Sequence, residues 1–150
     1  MIIDGGSTDG TLDIIKAYND KIDYWISEPD DGISDAFNKG INISTGMMIG
    51  IINAGDWYEL NTIELVASVI RVTDVDIVHG KLQYWHKEQQ SEQVSGNHNF
   101  LDKDMTVNHM TVFIRRELLK KIGVFSTKFQ YAMDYELLLR AVNYGASFFI

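Results

Sequence analysis

Ile49-Gly50-Ile51-Ile52-Asn53-Ala54-Gly55-Asp56-Trp57-Tyr58 is the stretch on which the reading of the fold turns. An uncharged apolar run over residues 47–52 breaks off into small and polar residues, and one carboxylate, Asp56, stands just past the break. Runs of this kind read as a central strand of a parallel sheet, buried on both faces. Ligands of open α/β sheets collect beyond the carboxyl ends of the strands, so Asp56 stands where a phosphate-bound metal ion can be held. Asn, Gly and Asp also favour turns, and by itself the segment after the strand is better read as a turn.

On the N-terminal side, residues 1–4 are strand-like and pass into a turn-rich loop over 5–11. Thr11 predicts the N-cap of a helix over 12–18 with Leu12, Ile15 and Tyr18 on its apolar face. A short strand over 24–27 precedes the loop 28–33, which holds the only proline, Pro29, and Ser34 predicts the cap of a helix through 43. On the C-terminal side, Asn61 and Glu64 form a capping-box pattern for a helix through 72, its buried stripe being Ile63, Val66, Ala67 and Ile70. Strands are expected over 76–79, 81–85 and 111–114, helices over 116–122 and 134–143, and the start of a strand over 146–150. The polar segment 87–99 reads as an exposed loop or a hairpin tip. Strands alternating with helices predict an α/β fold with a largely parallel sheet.

The 150 residues fit a single domain, 1–150, with 45% hydrophobic and 23% charged residues. A formal net charge of −8 argues against a nucleic-acid partner; the one dense basic cluster is Arg115, Arg116, Lys120 and Lys121. Without cysteine there is neither a disulfide nor a thiolate zinc site. No apolar run has the length of a membrane span and no signal peptide is evident, so the expected location is cytoplasmic. Strand-like residues at both ends suggest a piece of a larger domain.

The acidic strand end Asp4 leads into Gly5-Gly6-Ser7-Thr8-Asp9-Gly10-Thr11, which lacks the Gly-Lys-Ser/Thr of a P-loop and the Gly-x-Gly-x-x-Gly of a dinucleotide site. The sequence Ile2-Ile3-Asp4-Gly5-Gly6-Ser7-Thr8-Asp9-Gly10-Thr11 instead resembles the signature of family 2 glycosyltransferases with the GT-A fold. The segment from Glu28-Pro29-Asp30 to Asn38-Lys39-Gly40 resembles the family's next block. Asn53-Ala54-Gly55-Asp56 falls where the family carries its metal motif, and Met133-Asp134-Tyr135-Glu136-Leu137 resembles the acceptor-side block. The resemblance implies a GT-A, Rossmann-like α/β fold, a mixed and mostly parallel sheet flanked by helices, truncated at the N-terminus.

It further implies an inverting transfer from a nucleotide-diphosphate-sugar, UDP-linked, to a hydroxyl of a glycan or lipid-linked acceptor in surface polysaccharide synthesis. Asp134 is then the general base, with Glu136 as fallback, and Asp56 holds Mg²⁺ or Mn²⁺. Asp4 contacts the nucleobase, and Ser7, Asp9, Asp30, Lys39 and Asn53 complete the donor site. Asp31 and Asp35 read as solvated, Arg140 as a phosphate ligand or a helix-surface residue, and His109 as structural, a metal ligand or a substrate contact. Trp57 and Tyr58 could floor a sugar site, although core packing is the preferred reading. Peripheral membrane association and pairing of an exposed sheet edge with another copy are also expected. The sequence departs from the family pattern at Gly55, where many members have an aspartate, and at Met133. The competing expectation is a non-catalytic nucleotide-sugar-binding or assembly module.

Overall fold

The computed structural model describes residues 1–150. They divide into two compact units, Met1–Thr45 with Val124–Met133, and Gly46–Gly123 with Asp134–Ile150. In the first unit, strand β1 (Ile2–Asp4) pairs in parallel with β2 (Trp25–Ser27), with Ile3 opposite Ile26. Between them runs helix α1 (Thr11–Ala17). Its N-cap is Gly10 rather than Thr11, and the capping is done one residue further back: the Asp9 carboxylate accepts from the Thr11 N–H at 3.1 Å and from its hydroxyl at 2.7 Å. Helix α2 (Ile33–Ile43) starts from Gly32 at φ 104. Ser34, expected as its cap, is instead buried with no hydrogen-bond partner for its hydroxyl. The helix lies close over β1 because Gly40 has no side chain; a Cβ there would come within 3.3 Å of Ile3.

The second unit is built on a four-stranded mixed sheet. Its strands are β3 (Met48–Gly50), β4 (Ile77–His79), β7 (Val112–Arg115) and β8 (Phe148–Phe149). In the order β3-β7-β4-β8, β7 runs antiparallel to both its neighbours, and β4 pairs in parallel with β8. The apolar run of the opening stretch is therefore a strand, but an outer one in this sheet, with β7 as its partner. Its middle residue, Ile49, is buried, as are Ile77, Val78, Phe113 and Ile114 along the sheet. Helices α4 (Arg116–Ile122) and α5 (Met133–Tyr144) supply Leu118, Leu119, Leu137, Leu138 and Ala141 to the same core.

Two elements differ from expectation. Helix α3 (Thr62–Val72) buries none of its residues fully; Ile63 is exposed, and Val66, Ala67 and Ile70 are half-buried. Of the exposed loop and the hairpin tip expected after residue 87, the structure has the hairpin, and most of the polar segment is its second strand, β6 (Gln89–Ser95), paired antiparallel with β5 (Lys81–His86). The turn between them places Lys87 at φ 47 and Glu88 at φ 64. Both values belong to the left-handed hairpin turn that matches strand twist.

Gly50 is required where it stands. A Cβ there would lie 2.6 Å from the ring of Phe113, which crosses from the neighbouring strand. Gly50→Ala should therefore displace Phe113 and cost on the order of 1–3 kcal/mol, read as a lower urea midpoint at unchanged slope. An unchanged midpoint would show that the ring has room to move.

Candidate active site

In the first unit the strand ends of β1 and β2 are tied by Asp4. Its buried carboxylate accepts four hydrogen bonds: from Ser27 Oγ at 2.6 Å, Ser7 Oγ at 2.5 Å, Ser7 N at 3.0 Å and Gly6 N at 3.1 Å. The Ser27 hydroxyl, followed by the Ser7 hydroxyl and amide, holds the pKa down at about 2 against the burial that would raise it. Three of these bonds fall on Oδ2, which leaves Oδ1, with Ser7 as its single partner, as the better placed oxygen for a ligand donor.

The loop after β1 is closed by Asp30. A Cβ on Gly5 would meet Asp30 Oδ2 at 2.4 Å, and Asp30 Oδ1 accepts from Gly32 N at 3.0 Å, at the start of α2. Asp4, Ser7 and Asp30 thus belong to one pair of touching loops. Asp9 sits outside them, at the head of α1, where the Thr11 hydroxyl and then its N–H lower its pKa. Lys39 donates to Pro29 O at 2.9 Å and pairs with Glu28 at 3.0 Å and Asp35 at 3.3 Å. Those three partners account for its three donors, so it acts first as the post that holds the 28–32 loop on α2. Asn38 clamps Phe125, donating to its carbonyl at 2.8 Å and accepting from its N–H at 3.0 Å.

In the second unit three side chains meet that the sequence kept apart. His109 Nδ1 lies 3.1 Å from Asp134 Oδ2, and His109 Nε2 lies 3.3 Å from Asn53 Nδ2. An amide nitrogen can only donate, so Nε2 accepts from Asn53 and Nδ1–H donates to Asp134; the partners assign the tautomer. Asp134 also accepts from Tyr135 N at 2.9 Å in the first turn of α5. Its pKa is lowered, chiefly by the hydrogen bond from His109, against partial burial. Glu136 is already spent on Arg140, whose Nε and Nη2 lie 2.6 and 2.9 Å from its two oxygens, while Nη1 reaches Ile122 O. Neither the fallback base nor the guanidinium is therefore open to a ligand.

Asp56 is exposed on the turn after β3, its N–H bonded to Asn53 O at 3.1 Å. Gly55 stands at φ 93, a conformation that L side chains rarely adopt, so the turn itself favours the glycine. No three His, Asp or Glu side chains converge as a metal-binding group. The chain offers a hard cation one carboxylate, a donor set that fits an ion arriving with diphosphate oxygens and water. Trp57 is not core: it is 60% exposed, paired with Trp85 at 5.8 Å between ring centroids. Tyr58 is half-buried against Phe113 and donates to Ile51 O at 3.3 Å.

Residues 1–133 match the family described as Glycosyl transferase family 2, and the chain belongs to that family. A PGL/p-HBAD biosynthesis glycosyltransferase of Mycobacterium bovis (strain BCG / Pasteur 1173P2) is 28% identical over 158 residues, covering 95% of this chain and 57% of the relative. Glycosyltransferase AglE of Haloferax volcanii is 23% identical over 98% of this chain and 52% of its own length. The chain thus spans about half the length of these curated relatives. S. aureus TarS 1-349, solved in complex with UDP-GlcNAc, superposes with a TM-score of 0.72 at 19% identity over 93% of this chain and 43% of TarS. The mannosyltransferase PcManGT of Pyrobaculum calidifontis, solved with GDP-Man and Mn²⁺, gives 0.71 at 18% identity over 98% of this chain and 44% of its own. The fold is that of the GT-A glycosyltransferases. No helix is long and apolar enough to cross a membrane.

The Asp4 bonds have a measurable consequence. A carboxylate with a depressed folded-state pKa adds stability above its unfolded value near 4, and loses it as pH falls through about 2. Asp4→Asn should cost on the order of 1–2 kcal/mol at pH 7 and blunt the loss of stability between pH 4 and 2. In the parent chain, the ¹³C carboxyl resonance of Asp4 should titrate near 2; a midpoint near 4 would mean that the four bonds are not held in solution.

Proposed function

We propose that this chain carries the donor- and base-bearing part of an inverting glycosyltransferase that uses a nucleotide-diphosphate-sugar, UDP-linked, and a hydroxyl acceptor in surface glycan synthesis. The observation that carries the reading is the Asn53–His109–Asp134 relay at the head of α5. Asp134 is a carboxylate kept ionised and fixed in direction by a histidine that is itself fixed by an amide, the arrangement a general base requires. In the proposed step Asp134 takes the proton from the acceptor hydroxyl as its oxygen bonds to the anomeric carbon from the face opposite the diphosphate. The bond to the diphosphate oxygen breaks in the same displacement, so the configuration inverts and no covalent enzyme intermediate forms.

The touching loops of Asp4, Ser7 and Asp30 are assigned to the nucleoside end of the donor, with Oδ1 of Asp4 as the acceptor atom. On this reading Asp9 caps α1, Lys39 holds the 28–32 loop and Asn53 supports the base. A Mg²⁺ or Mn²⁺ ion at Asp56 would offset charge on the departing diphosphate. PcManGT, solved with Mn²⁺, gives that choice of ion its support. A second reading, a nucleotide-sugar-binding module without turnover, draws on the exposed Asp56 standing without a converging acidic partner.

Donor turnover with Mn²⁺ and either UDP- or GDP-sugars separates the two readings, since binding without turnover favours the module. Asp134→Asn should lower kcat by roughly 10²–10⁴-fold with donor binding retained; undiminished transfer would sink the assignment of the base. His109→Ala removes the bond that lowers the Asp134 pKa while leaving its partial burial. The acid limb of the kcat/KM profile should then move to higher pH, since the active form is the carboxylate. A profile that keeps its position would show that His109 does not act on Asp134.

A further inference from the structure

Asp134 sits in the first turn of α5, where backbone N–H groups find no partner within the helix and helix ends fray. The chain enters that turn through Ala132 at φ 58, a left-handed conformation that a residue with a Cβ rarely adopts. Strain of this kind persists only where its surroundings hold it. Leu137, Leu138 and Ala141 pack the body of α5 into the core, and all three lie beyond the base. Within the first turn, Tyr135 makes two bonds. Its N–H donates to Asp134 Oδ1 at 2.9 Å, and its hydroxyl donates to Leu101 O, also at 2.9 Å, across a sequence separation of 34. Leu101 is a fixed partner: it is fully buried, and its N–H donates to His98 O at 3.3 Å, closing a turn. The His98 ring holds that turn to the sheet. Its Nδ1 lies 2.8 Å from Nε2 of the buried His79 on β4, and its face stacks on Phe148 of β8 at 5.1 Å between centroids.

We propose that Tyr135 is a positioning residue for the base: its hydroxyl, bonded to the Leu101 carbonyl, holds the first turn of α5 so that Asp134 faces one way. The proposal rests on the transferase reading above and goes beyond it, assigning a task to a side chain outside the Asn53–His109–Asp134 relay. The relay fixes only Oδ2. A single bond on that oxygen leaves the carboxylate able to swing about it, and the second bond, on Oδ1, comes from the Tyr135 backbone. That N–H is only as fixed as the turn that carries it. The phenol ties the turn to a buried carbonyl, and a rigid ring on two rotatable bonds sets the length of the tie. Misplacing a reacting group by about 1 Å is enough to cost about 10²-fold in rate, so a base on a frayed turn would lose most of its effect. A tyrosine hydroxyl can also bond a carbonyl merely to satisfy itself. The two roles part experimentally, because simple satisfaction would leave the carboxylate of Asp134 as it was.

The test compares the parent chain with Tyr135→Phe, which keeps the ring and removes only the hydroxyl. Both are measured at a temperature where circular dichroism shows them folded. The first readout is the ¹³C carboxyl titration of Asp134. His109 lowers that pKa most and the Tyr135 N–H adds to it, so the midpoint should rise in the variant as the turn loosens. The second is turnover of UDP- and GDP-sugars with Mn²⁺: kcat should fall roughly 5–30-fold with the donor KM unchanged. A lower melting temperature with midpoint and kcat unmoved would show that the hydroxyl serves stability alone, and overturns the proposal. So does a kcat that holds although the midpoint has moved. Should Tyr135→Phe fail to fold, the parent chain decides: the Tyr135 hydroxyl proton should exchange slowly and give a cross-peak to the Leu101 Hα. A hydroxyl in fast exchange with water would remove the tie. Turnover keeps the two readings apart. If the parent turns over no donor, the transferase reading falls, and a midpoint that rises in Tyr135→Phe still leaves Tyr135 as the residue that orients Asp134. Turnover in the parent that Tyr135→Phe leaves undiminished removes the positioning role alone.

Discussion

A carboxylate taken partly out of water must be given hydrogen-bond donors, and the two strand- and helix-end carboxylates of this chain show what that demand builds. Asp4 organises the loop after β1 around itself, drawing in two serine hydroxyls and two backbone N–H groups and tying β1 to β2 through Ser27. Asp134 takes its donors from a histidine that lies in a distant part of the sequence and from the next backbone N–H of its own helix. In both cases the low pKa is the outcome of the same accounting: fixed donors outweigh burial. Each carboxylate is thereby held charged and immobile, which any binding or catalytic role would need, and each makes its surrounding backbone depend on its presence.

The other candidate residues of each unit divide into groups that are spent and groups that are open. Lys39, Glu136 and Arg140 are charged, yet each is tied to partners within the chain. Asp56, Trp57 and Trp85 are the reverse, polar or aromatic groups left exposed around a concavity. Charge alone points to the first set; partners and exposure leave the second as the groups open to a ligand.

The same distinction explains what was legible in the sequence. The order of strands and helices could be read because each carries its own period, and α4 and the strand–loop–helix unit after Asp4 appear where expected. Strand β6 could not, because Gln, Ser and Glu in an exposed two-stranded ribbon leave no alternation of apolar residues to detect. The antiparallel insertion of β7 between β3 and β4 was also hidden: a short apolar run states that it is buried, not which way it runs. The stripe on α3 was visible as a pattern, but whether a helix face is covered depends on residues elsewhere, and here it fronts a cavity. His109 gave almost no signal, since a lone histidine before a strand has no spacing that points to Asp134. Only the fold brings Nδ1 to the carboxylate.

That pairing bears on how so weak a base could serve the proposed reaction. Lowering the pKa of Asp134 reduces its affinity for a proton, which by itself works against proton abstraction. The hydroxyl, however, need not lose its proton before attack. Its acidity rises as its oxygen bonds to the anomeric carbon, so the base is required late and must then be ionised and aligned. A carboxylate whose Oδ2 is held by His109 and whose Oδ1 accepts from the Tyr135 N–H is kept ionised and fixed in direction, so the remaining lone pair on each oxygen is aimed. Were Asp134 to gain the proton in the proposed step, its bond from His109 would weaken, and Asn53 would keep the ring in place for the return of the carboxylate. Base strength is given up for readiness and aim, which favours a reaction whose driving force comes from the departure of the diphosphate.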